Sequence, residues 1–313
     1  MVAIQPSPML LLHFRVRIVQ VLVTLCGLLT TASVAAEQAW QTAAANALRA
    51  SDDGTALVLD VKDNRLLAVV HPHLAATLRT TPGSAIKPFV LYALLKSGRW
   101  SADRRLACHR TLTIAGRRMD CVHPQIAASF DARAALAYSC NRYFSQAALA
   151  LSAESLQAGL RRSGLNAATG LLPAETTGKL RTPHSDEQQQ MLALGVDGIT
   201  VTPLELAESY RWLLLQMNEG DQQDAARTLR GGLADSVNFG MASAAAVTGI
   251  AIAGKTGTAG TYAGSETHGW FVGYAPVADP QVVVVVYIAH GRGSDAASQA
   301  RTIFASSPLA HHK

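Results

Sequence analysis

Ser84 and Lys87 are the first residues in this chain whose types and spacing could do chemistry. They stand three residues apart at the start of an apolar stretch, and residues i and i+3 lie on the same face of a helix. A neutral lysine amine at that spacing can accept the proton of the serine hydroxyl, which makes the serine an effective nucleophile. The pair predicts nucleophilic catalysis, but Ser-x-x-Lys alone is a weak motif.

Two further polar clusters follow at long intervals. Ser139-Cys140-Asn141 interrupts an apolar helical stretch, so it is either a loop facing a cleft or the cap of a second helix. Lys255-Thr256-Gly257-Thr258 lies in a predicted strand, where Gly257 lets a ligand backbone approach and the two threonines present hydroxyls at alternating positions. Together with the first pair, these clusters predict one cleft built from three distant segments.

The elements that must position these clusters are strands at both ends of the chain and helices between them. The runs TALVLDV and RLLAVVH predict a hairpin, and a loop over residues 74–81 should lead into a buried helix that begins at Ser84. Three more strands near the C-terminus include the β-branched run VVVVVYIAH, which predicts a central strand. This order predicts an α+β fold, with an antiparallel five-stranded sheet flanked by helices and a helical subdomain inserted at about residues 99–240.

Composition limits the possible function classes. The chain has 313 residues, of which 49% are hydrophobic and 16% charged, so it is long and apolar enough for a globular domain. The net charge of +5 is mild, and no run of Lys and Arg is interleaved with aromatic residues. We therefore expect no nucleic-acid partner, although a weakly basic body favours an anionic polymer.

The N-terminal residues 1–36 have the pattern of a signal peptide or signal anchor. Arg15 and Arg17 precede the apolar run IVQVLVTLCGLLTT, and a small residue, Ala36, ends the segment. Cleavage and retention as an anchor both stay open. We expect an exported protein, either periplasmic or anchored to the outer face of the cytoplasmic membrane, whose remaining domain spans residues 37–313.

Two cysteines bracket a second predicted hairpin. Cys108 and Cys121 flank the run HRTLTIAGRRMD, whose turn we place at Gly116. The favoured interpretation is a Cys108–Cys121 disulfide, which would stabilise the fold by about 3 kcal/mol. His109 and His123 beside them make a zinc site the alternative, but the spacing is unusual for zinc, so we expect no metal.

Taken together, the three clusters resemble the motif set of the penicillin-binding proteins, the active-site serine DD-transpeptidases. The stretches PGSAIKPF, AYSCNRYF, LGVDGITVTPLELAESY, GKTGTA and HGWFVGYAP are similar to those of their transpeptidase domains, over roughly residues 55–290. The resemblance implies a penicillin-binding transpeptidase domain over residues 37–313. It implies a peptidoglycan DD-transpeptidase that forms an acyl-enzyme on D-Ala-D-Ala stem peptides and binds penicillin covalently.

The resemblance also implies roles for four catalytic residues. Ser84 would be the nucleophile and Lys87 its base. Ser139 would relay the proton to the leaving D-alanine, and Lys255 would place positive charge beside Ser139 and the substrate carboxylate. Because two nearby ammonium groups repel, we expect Lys255 to lower the pKa of Lys87 toward the neutral form that a base needs.

Substrate binding is assigned by the same resemblance. Asn141 would hold the amide of the donor peptide, and Thr256, Gly257 and Thr258 would form the strand that binds the peptide and its carboxylate. The backbone N–H groups of Ser84 and Thr258 would form the oxyanion hole.

The implied ligands are peptidoglycan stem peptides and β-lactam antibiotics, with no cofactor. No segment resembling a glycosyltransferase or a pedestal module stands between the signal and Gly54. We therefore expect a free-standing transpeptidase domain, and partners in a cell-wall or membrane complex stay open.

Three alternatives remain beside the transpeptidase. A DD-carboxypeptidase shares the acylation step and differs in using water to resolve the ester. A serine β-lactamase uses similar motifs, but this chain has Asn141 and no obvious deacylating glutamate. A non-catalytic β-lactam sensor would keep the fold without the reaction.

Overall fold

The computed structural model describes residues 34–49, 51–218, 223–260 and 266–310. Most of the predicted signal segment lies outside these residues. Within the described part of the chain, no helix has the length and apolarity needed to cross a bilayer.

A two-stranded hairpin near the start of the described chain is followed by a mostly helical stretch with short strands, and then by three long strands and a helix. In chain order the helices and strands are α1 (34–47), β1 (Thr55–Asp60), β2 (Leu66–Val70), α2 (Pro72–Thr77), α3 (Lys87–Lys96), β3 (Leu106–Ala107), β4 (Thr113–Ile114), β5 (Arg117–Arg118), β6 (Ser129–Phe130), α4 (Ala132–Ala137), α5 (Asn141–Ala148), α6 (Ala153–Arg162), β7 (Lys179–Leu180), α7 (Asp186–Ala193), β8 (Ile199–Thr200), α8 (Pro203–Asn218), α9 (Gln223–Asn238), β9 (Ala253–Gly260), β10 (Thr267–Ala275), β11 (Val282–Ile288) and α10 (Gly293–Ala305).

The main sheet has five antiparallel strands in the order β2-β1-β11-β10-β9. The N-terminal hairpin therefore joins the C-terminal strands, and the predicted α+β fold class is confirmed. Strand β11 is central, as its β-branched run predicts, because such residues pack well on both faces of a sheet. Strand β9, which carries the Lys255–Thr258 cluster, lies at one edge.

Two apolar layers cover the two faces of this sheet. Alternate residues of a strand point to opposite faces, so Leu57 and Leu59 of β1 enter one layer while Ala56 and Val58 enter the other. The first layer includes residues of α3 and α8, and the second includes residues of α1 and α10. Helix α3 is buried nearly all round, as its sequence predicts.

The start of α3 differs from the prediction. A 3₁₀ turn, Gly83–Ile86, comes first, and the α-helix begins at Lys87 instead of Ser84. Pro88 has no N–H with which to bond the Ser84 carbonyl, so the Lys87 N–H bonds it instead and closes a 3₁₀ ring.

The predicted loop over residues 74–81 is also partly wrong. Its first half belongs to helix α2, which has Pro72 in its first turn. Proline is favoured there because its fixed φ suits the helix and its missing N–H would have had no partner in any case. The limits of the helical insert, about residues 99–240, stay a prediction.

Candidate active site

Ser84 lies in the 3₁₀ turn that precedes α3. In a 3₁₀ turn the side chains at i and i+3 eclipse each other, so Ser84 and Lys87 lie on one face. Ser84 is partly exposed, whereas Lys87 is completely buried. The turn therefore presents a hydroxyl that is accessible to solvent and an amine buried beneath it.

Two contacts from the helical part of the chain hold this turn. The N–H of Gly83 donates to Gly195 O at 2.9 Å, and the Tyr210 hydroxyl donates to Ala85 O at 2.8 Å. Gly83 has φ of +54°, a conformation that glycine adopts without the strain of a Cβ. Position 83 therefore needs its glycine.

Two side chains of β10 fix the chain just before the turn. His268 Nε2 and Trp270 Nε1 both donate to Thr81 O, at 2.8 and 3.1 Å. A carbonyl only accepts hydrogen bonds, so Nε2 of His268 carries the proton. Sequence analysis identifies the stretch HGWFVGYAP but assigns no role to these two residues. Their spacing of two along a strand, which places both on one face of the sheet, is the signal that could have linked them.

Ser139 stands between α4 and α5 with φ of +54°. A left-handed conformation is uncommon for serine and costs about 1–2 kcal/mol, so the surrounding contacts must hold it. The next residue, Cys140, is the N-cap of α5 and accepts a hydrogen bond from Tyr143 N. The helix-cap interpretation of this segment therefore applies, and Ser139 and Asn141 on either side of the cap are partly exposed.

Lys87 connects the turn to this loop. Its Nζ donates to Asn141 Oδ1 at 2.6 Å and to Ser139 O at 2.8 Å, and it lies 3.2 Å from Ser139 Oγ. A neutral amine has two N–H groups and one lone pair. The two carbonyl-type oxygens can take both N–H groups, which leaves the lone pair free to accept a proton.

Burial lowers the pKa of Lys87 to about 8, against weaker opposing effects of Cys140 and Cys121. The direction agrees with the sequence-based expectation, but the cause differs because desolvation, and not Lys255, lowers it. The repulsion expected between the two lysines acts on Lys255 instead. Burial, and then the charge of Lys87, hold the pKa of Lys255 well below its ordinary value.

Lys255 reaches the same hydroxyl from the sheet. Its Nζ donates to Ser139 Oγ at 2.8 Å and to Thr256 O at 3.1 Å, and the side chain is completely buried. The structure thus brings both predicted lysines to Ser139. Within the part of the chain that the structure describes, Lys87 bonds Ser139 and Asn141 and makes no hydrogen bond to the Ser84 hydroxyl.

Strand β9 packs tightly against the Ser84 turn. A Cβ at Gly257 would lie 2.3 Å from Pro82 O, and one at Gly83 would lie 2.6 Å from Thr258 O. Real Cβ atoms do not approach oxygen so closely, so both positions require glycine. The predicted oxyanion donors, on Ser84 and Thr258, therefore belong to backbones in direct contact.

The two threonines of this strand have structural partners. Thr256 Oγ1 donates to Met241 O at 3.3 Å, and Thr258 Oγ1 accepts from the N–H of Gly293 at 2.9 Å. Thr256 is buried, whereas Thr258 is exposed. Being two residues apart, they share one face of β9, as expected.

The predicted Cys108–Cys121 disulfide is absent: both residues are buried free thiols with Sγ atoms 3.6 Å apart. The hairpin itself is confirmed as β4 and β5, with the turn at Ala115 and Gly116. A third thiol, Cys140, lies 3.3 Å from Cys108 Sγ and 3.7 Å from Cys121 Sγ. Sequence reasoning did not connect Cys140 with this pair.

Comparisons with known proteins agree with this geometry. A family model described as the penicillin binding protein transpeptidase domain matches residues 54–307. The probable peptidoglycan D,D-transpeptidase PenA of Neisseria gonorrhoeae is 29% identical over 286 residues, 76% of this chain and 48% of that protein. Another, PbpC of Pseudomonas aeruginosa, is 29% identical over 234 residues, 66% of this chain and 41% of that protein. The chain thus spans less than half the length of these relatives.

Solved structures share the fold. The transpeptidase domain of penicillin-binding protein 3 from Burkholderia pseudomallei superposes with a TM-score of 0.78 at 21% identity, covering 89% of this chain and 95% of that one. The D,D-transpeptidase domain of a peptidoglycan glycosyltransferase from Eggerthella lenta gives 0.73 at 22% identity, covering 86% and 80%. The five-stranded sheet and its helices are thus those of transpeptidase domains.

Proposed function

Because the chain belongs to the penicillin-binding protein transpeptidase family, we propose that it is a serine-type peptidoglycan D,D-transpeptidase. It forms an acyl-enzyme on D-Ala-D-Ala stem peptides and binds penicillin covalently. The observation that carries this proposal is the convergence of two buried amines, Lys87 Nζ and Lys255 Nζ, on Ser139 Oγ beside the Ser84 turn.

Acylation begins with the Ser84 hydroxyl. Its oxygen attacks the carbonyl carbon of the penultimate D-alanine while the neutral amine of Lys87 takes the proton. The low pKa of Lys87, caused by its burial, supports this role because an ordinary lysine is protonated near neutral pH. The lysine reaches the proton by moving from Ser139 toward Ser84, its eclipsed neighbour.

The tetrahedral intermediate carries negative charge on the former carbonyl oxygen. The N–H groups of Ser84 and Thr258 stabilise it, and the close packing of Gly83 on Thr258 supports this pairing. One such donor contributes about 3 kcal/mol of transition-state stabilisation. Rigid packing matters because donors placed in advance need no reorganisation during the reaction.

Collapse of the intermediate breaks the bond to the terminal D-alanine, whose nitrogen must gain a proton. Ser139 relays that proton from Lys87, and Lys255 stabilises the charge that develops on the Ser139 oxygen. An acceptor amine then attacks the Ser84 ester by the reverse path. The product is a new peptide bond, and Ser84 regains its proton.

The outer edge of β9 binds the donor peptide as an added strand. Thr256 and Thr258 take the terminal carboxylate, to which the exposed Thr258 hydroxyl can donate because it accepts the bond from Gly293 N–H and keeps its own proton. Asn141 faces the peptide from the opposite side; its Oδ1 has a second lone pair beyond the bond to Lys87. A β-lactam occupies the same groove because it mimics the D-Ala-D-Ala terminus.

The proposed reaction places the domain outside the cytoplasmic membrane, where stem peptides are cross-linked. The names of its relatives support this location, and the N-terminal pattern of residues 1–36 agrees with it. Its ligands are stem peptides and β-lactams, and any partners are other cell-wall proteins. No cofactor is needed for acyl transfer by these residues.

A labelling experiment tests the proposal. The full-length protein, Ser84→Ala and the control Ser101→Ala, which changes an exposed serine, are incubated with a fluorescent penicillin. We expect stable label on the wild type and the control, and none on Ser84→Ala. In a separate reaction without penicillin, a pentapeptide donor and an acceptor amine should give a cross-linked product with the wild type.

Other outcomes separate the alternatives. Release of D-alanine without a cross-linked product indicates a carboxypeptidase, and rapid loss of the label indicates a β-lactamase. Label without any peptide chemistry indicates a sensor. Label on folded Ser84→Ala would contradict Ser84 as the nucleophile.

A further inference from the structure

Four buried side chains beside the active-site loop form a cluster that the proposed reaction does not use. Cys108, Cys121, His123 and Cys140 each offer one ligand atom, and these atoms all lie within 4.8 Å of one another. The residues come from both sides of the β4–β5 hairpin and from the N-cap of α5. All four are at most 3% exposed.

The distances within the cluster fit one geometry. The three Sγ–Sγ distances are 3.6, 3.7 and 3.3 Å, and Cys108 Sγ lies 3.5 Å from His123 Nε2. A tetrahedral Zn²⁺ site, with Zn–S of about 2.3 Å and Zn–N of about 2.0 Å, separates its ligand atoms by about 3.5–3.8 Å. These four distances match such a tetrahedron to within about 0.5 Å, and the two remaining ones, from His123 Nε2 to the sulfurs of Cys121 and Cys140, are at most 4.8 Å.

The histidine is oriented for metal binding. His123 Nδ1 lies 2.8 Å from Pro124 O, and a carbonyl only accepts, so Nδ1 carries the proton. Nε2 then has a lone pair that points at the sulfurs. Metal-binding histidines generally donate their other N–H to a carbonyl or carboxylate in this way.

Backbone groups of α5 support negative charge on the sulfurs. Arg142 N donates to Cys121 Sγ and Tyr143 N donates to Cys140 Sγ, both at 3.4 Å. These N–H groups belong to the first turn of a helix, where backbone donors have no partner within the helix and the helix dipole favours negative charge.

We propose that Cys108, Cys121, His123 and Cys140 bind one Zn²⁺ ion and that this ion holds the β4–β5 hairpin against the Ser139–Asn141 loop. The three thiols release their protons to solvent on binding. Four protein ligands leave no open position, so the ion is structural and takes no part in acyl transfer. Soft sulfur ligands with one imidazole favour zinc over Mg²⁺ or Ca²⁺. This proposal replaces the sequence-based expectation of a disulfide and no metal.

The cluster contacts the active site through its neighbours in sequence. Cys140 lies between Ser139 and Asn141, whose side chains both bond Lys87 Nζ. Asn141 Nδ2 also donates to Met119 O at 3.0 Å and Asp120 O at 3.2 Å, just before Cys121. The ion would thus position both polar residues of the loop.

Metal content gives the first test. We measure zinc in the purified full-length protein by mass spectrometry and expect about one ion per folded chain. His123→Ala and Cys108→Ser should lose it. Their matched controls, His109→Ala at an exposed histidine and Cys26→Ser outside the described residues, should keep it. Full zinc content in folded His123→Ala, or a wild type without stoichiometric zinc whose thiols are oxidised to a disulfide, would overturn the proposal.

Wild-type protein gives a second test that does not depend on whether the variants fold. After a chelator removes zinc, the unfolding temperature should fall, and added Zn²⁺ should restore it. Cobalt in place of zinc should give the strong visible absorption of a tetrahedral site with thiolate charge transfer. An unchanged unfolding temperature, or an octahedral cobalt spectrum, would contradict the structural site.

The effect on the reaction rests on the proposed function and is measured separately. Loss of zinc should slow penicillin acylation by about 10-fold to 100-fold, as loss of supporting contacts around a site typically does. Ser84→Ala should lose acylation but keep its full zinc content. Failure of the zinc proposal and failure of the proposed function are therefore distinguishable, and an acylation rate unchanged by zinc removal would refute the positioning role.

Discussion

The two walls of the active site are held in different ways. On the sheet side, the Lys255–Thr258 segment is fixed by its ladder with β10 and by glycines that let backbones touch. On the helical side, the loop with Ser139 has a left-handed residue and depends on side-chain contacts from Lys87 and Asn141.

This difference indicates where each wall is vulnerable. A wall held by backbone packing resists most side-chain changes, but one added methyl group can displace it. A wall held by a few polar contacts is sensitive to the loss of any single partner, because buried polar groups are costly to leave unpaired.

The largest expected effect is on the helical side. Lys87→Met keeps the length of the side chain but removes the base and the contacts to Ser139 and Asn141. We expect the rate of penicillin acylation to fall by about 10²-fold to 10⁴-fold, the usual range for a general base. Stopped-flow labelling measures the rate, and circular dichroism confirms folding. A folded variant that acylates within about threefold of wild type would contradict the role of Lys87 as base.

On the sheet side, Gly257→Ala should slow acylation by about 100-fold, because its Cβ would force β9 and the Ser84 turn apart. Gly260→Ala is the matched control on the same strand, where the nearest atom, Glu266 O, lies 3.7 Å from an added Cβ. It should acylate at nearly the wild-type rate. Equal acylation rates for the two variants would show that the packing of β9 against the Ser84 turn does not control the reaction.

The smallest expected effect is on pH dependence, and it concerns the amine that joins the walls. Burial lowers the pKa of Lys87 to about 8, so the neutral base is lost as pH falls below that value. The acylation rate should therefore drop about tenfold per pH unit below about pH 8 and level off above it. The residual rate of Lys87→Met should lack this inflection. A wild-type acylation rate that decreases as pH rises from about 7 to about 9 would contradict the predicted direction of the pH dependence.

Much of the fold could be predicted from local patterns. The short apolar runs of β1 and β11 identified their strands, because a strand covered on both faces is apolar along its length and is rich in β-branched residues. The start of α3 was placed wrongly. The observation that Pro88 lacks an N–H was available, but its consequence, a 3₁₀ turn, depends on how neighbouring segments hold Gly83.

The contacts between distant segments could not be predicted in this way. Nothing near His268 in the sequence indicates that it bonds Thr81, and Cys140 is separated from Cys121 by strand β6 and helix α4. Such contacts depend on the relative placement of whole elements, which local periodicity does not report.

The sequence by itself determined which residue types were available for chemistry and where the strands of the main sheet lie. Hydrophobic spacing and the motif residues are local properties, and they sufficed for the family resemblance. Only the tertiary structure decided that two amines meet at one hydroxyl, that burial is what lowers the pKa of Lys87, and that three thiols and an imidazole gather instead of forming one disulfide. Those outcomes depend on distance and solvent exclusion, which exist only once the chain is packed.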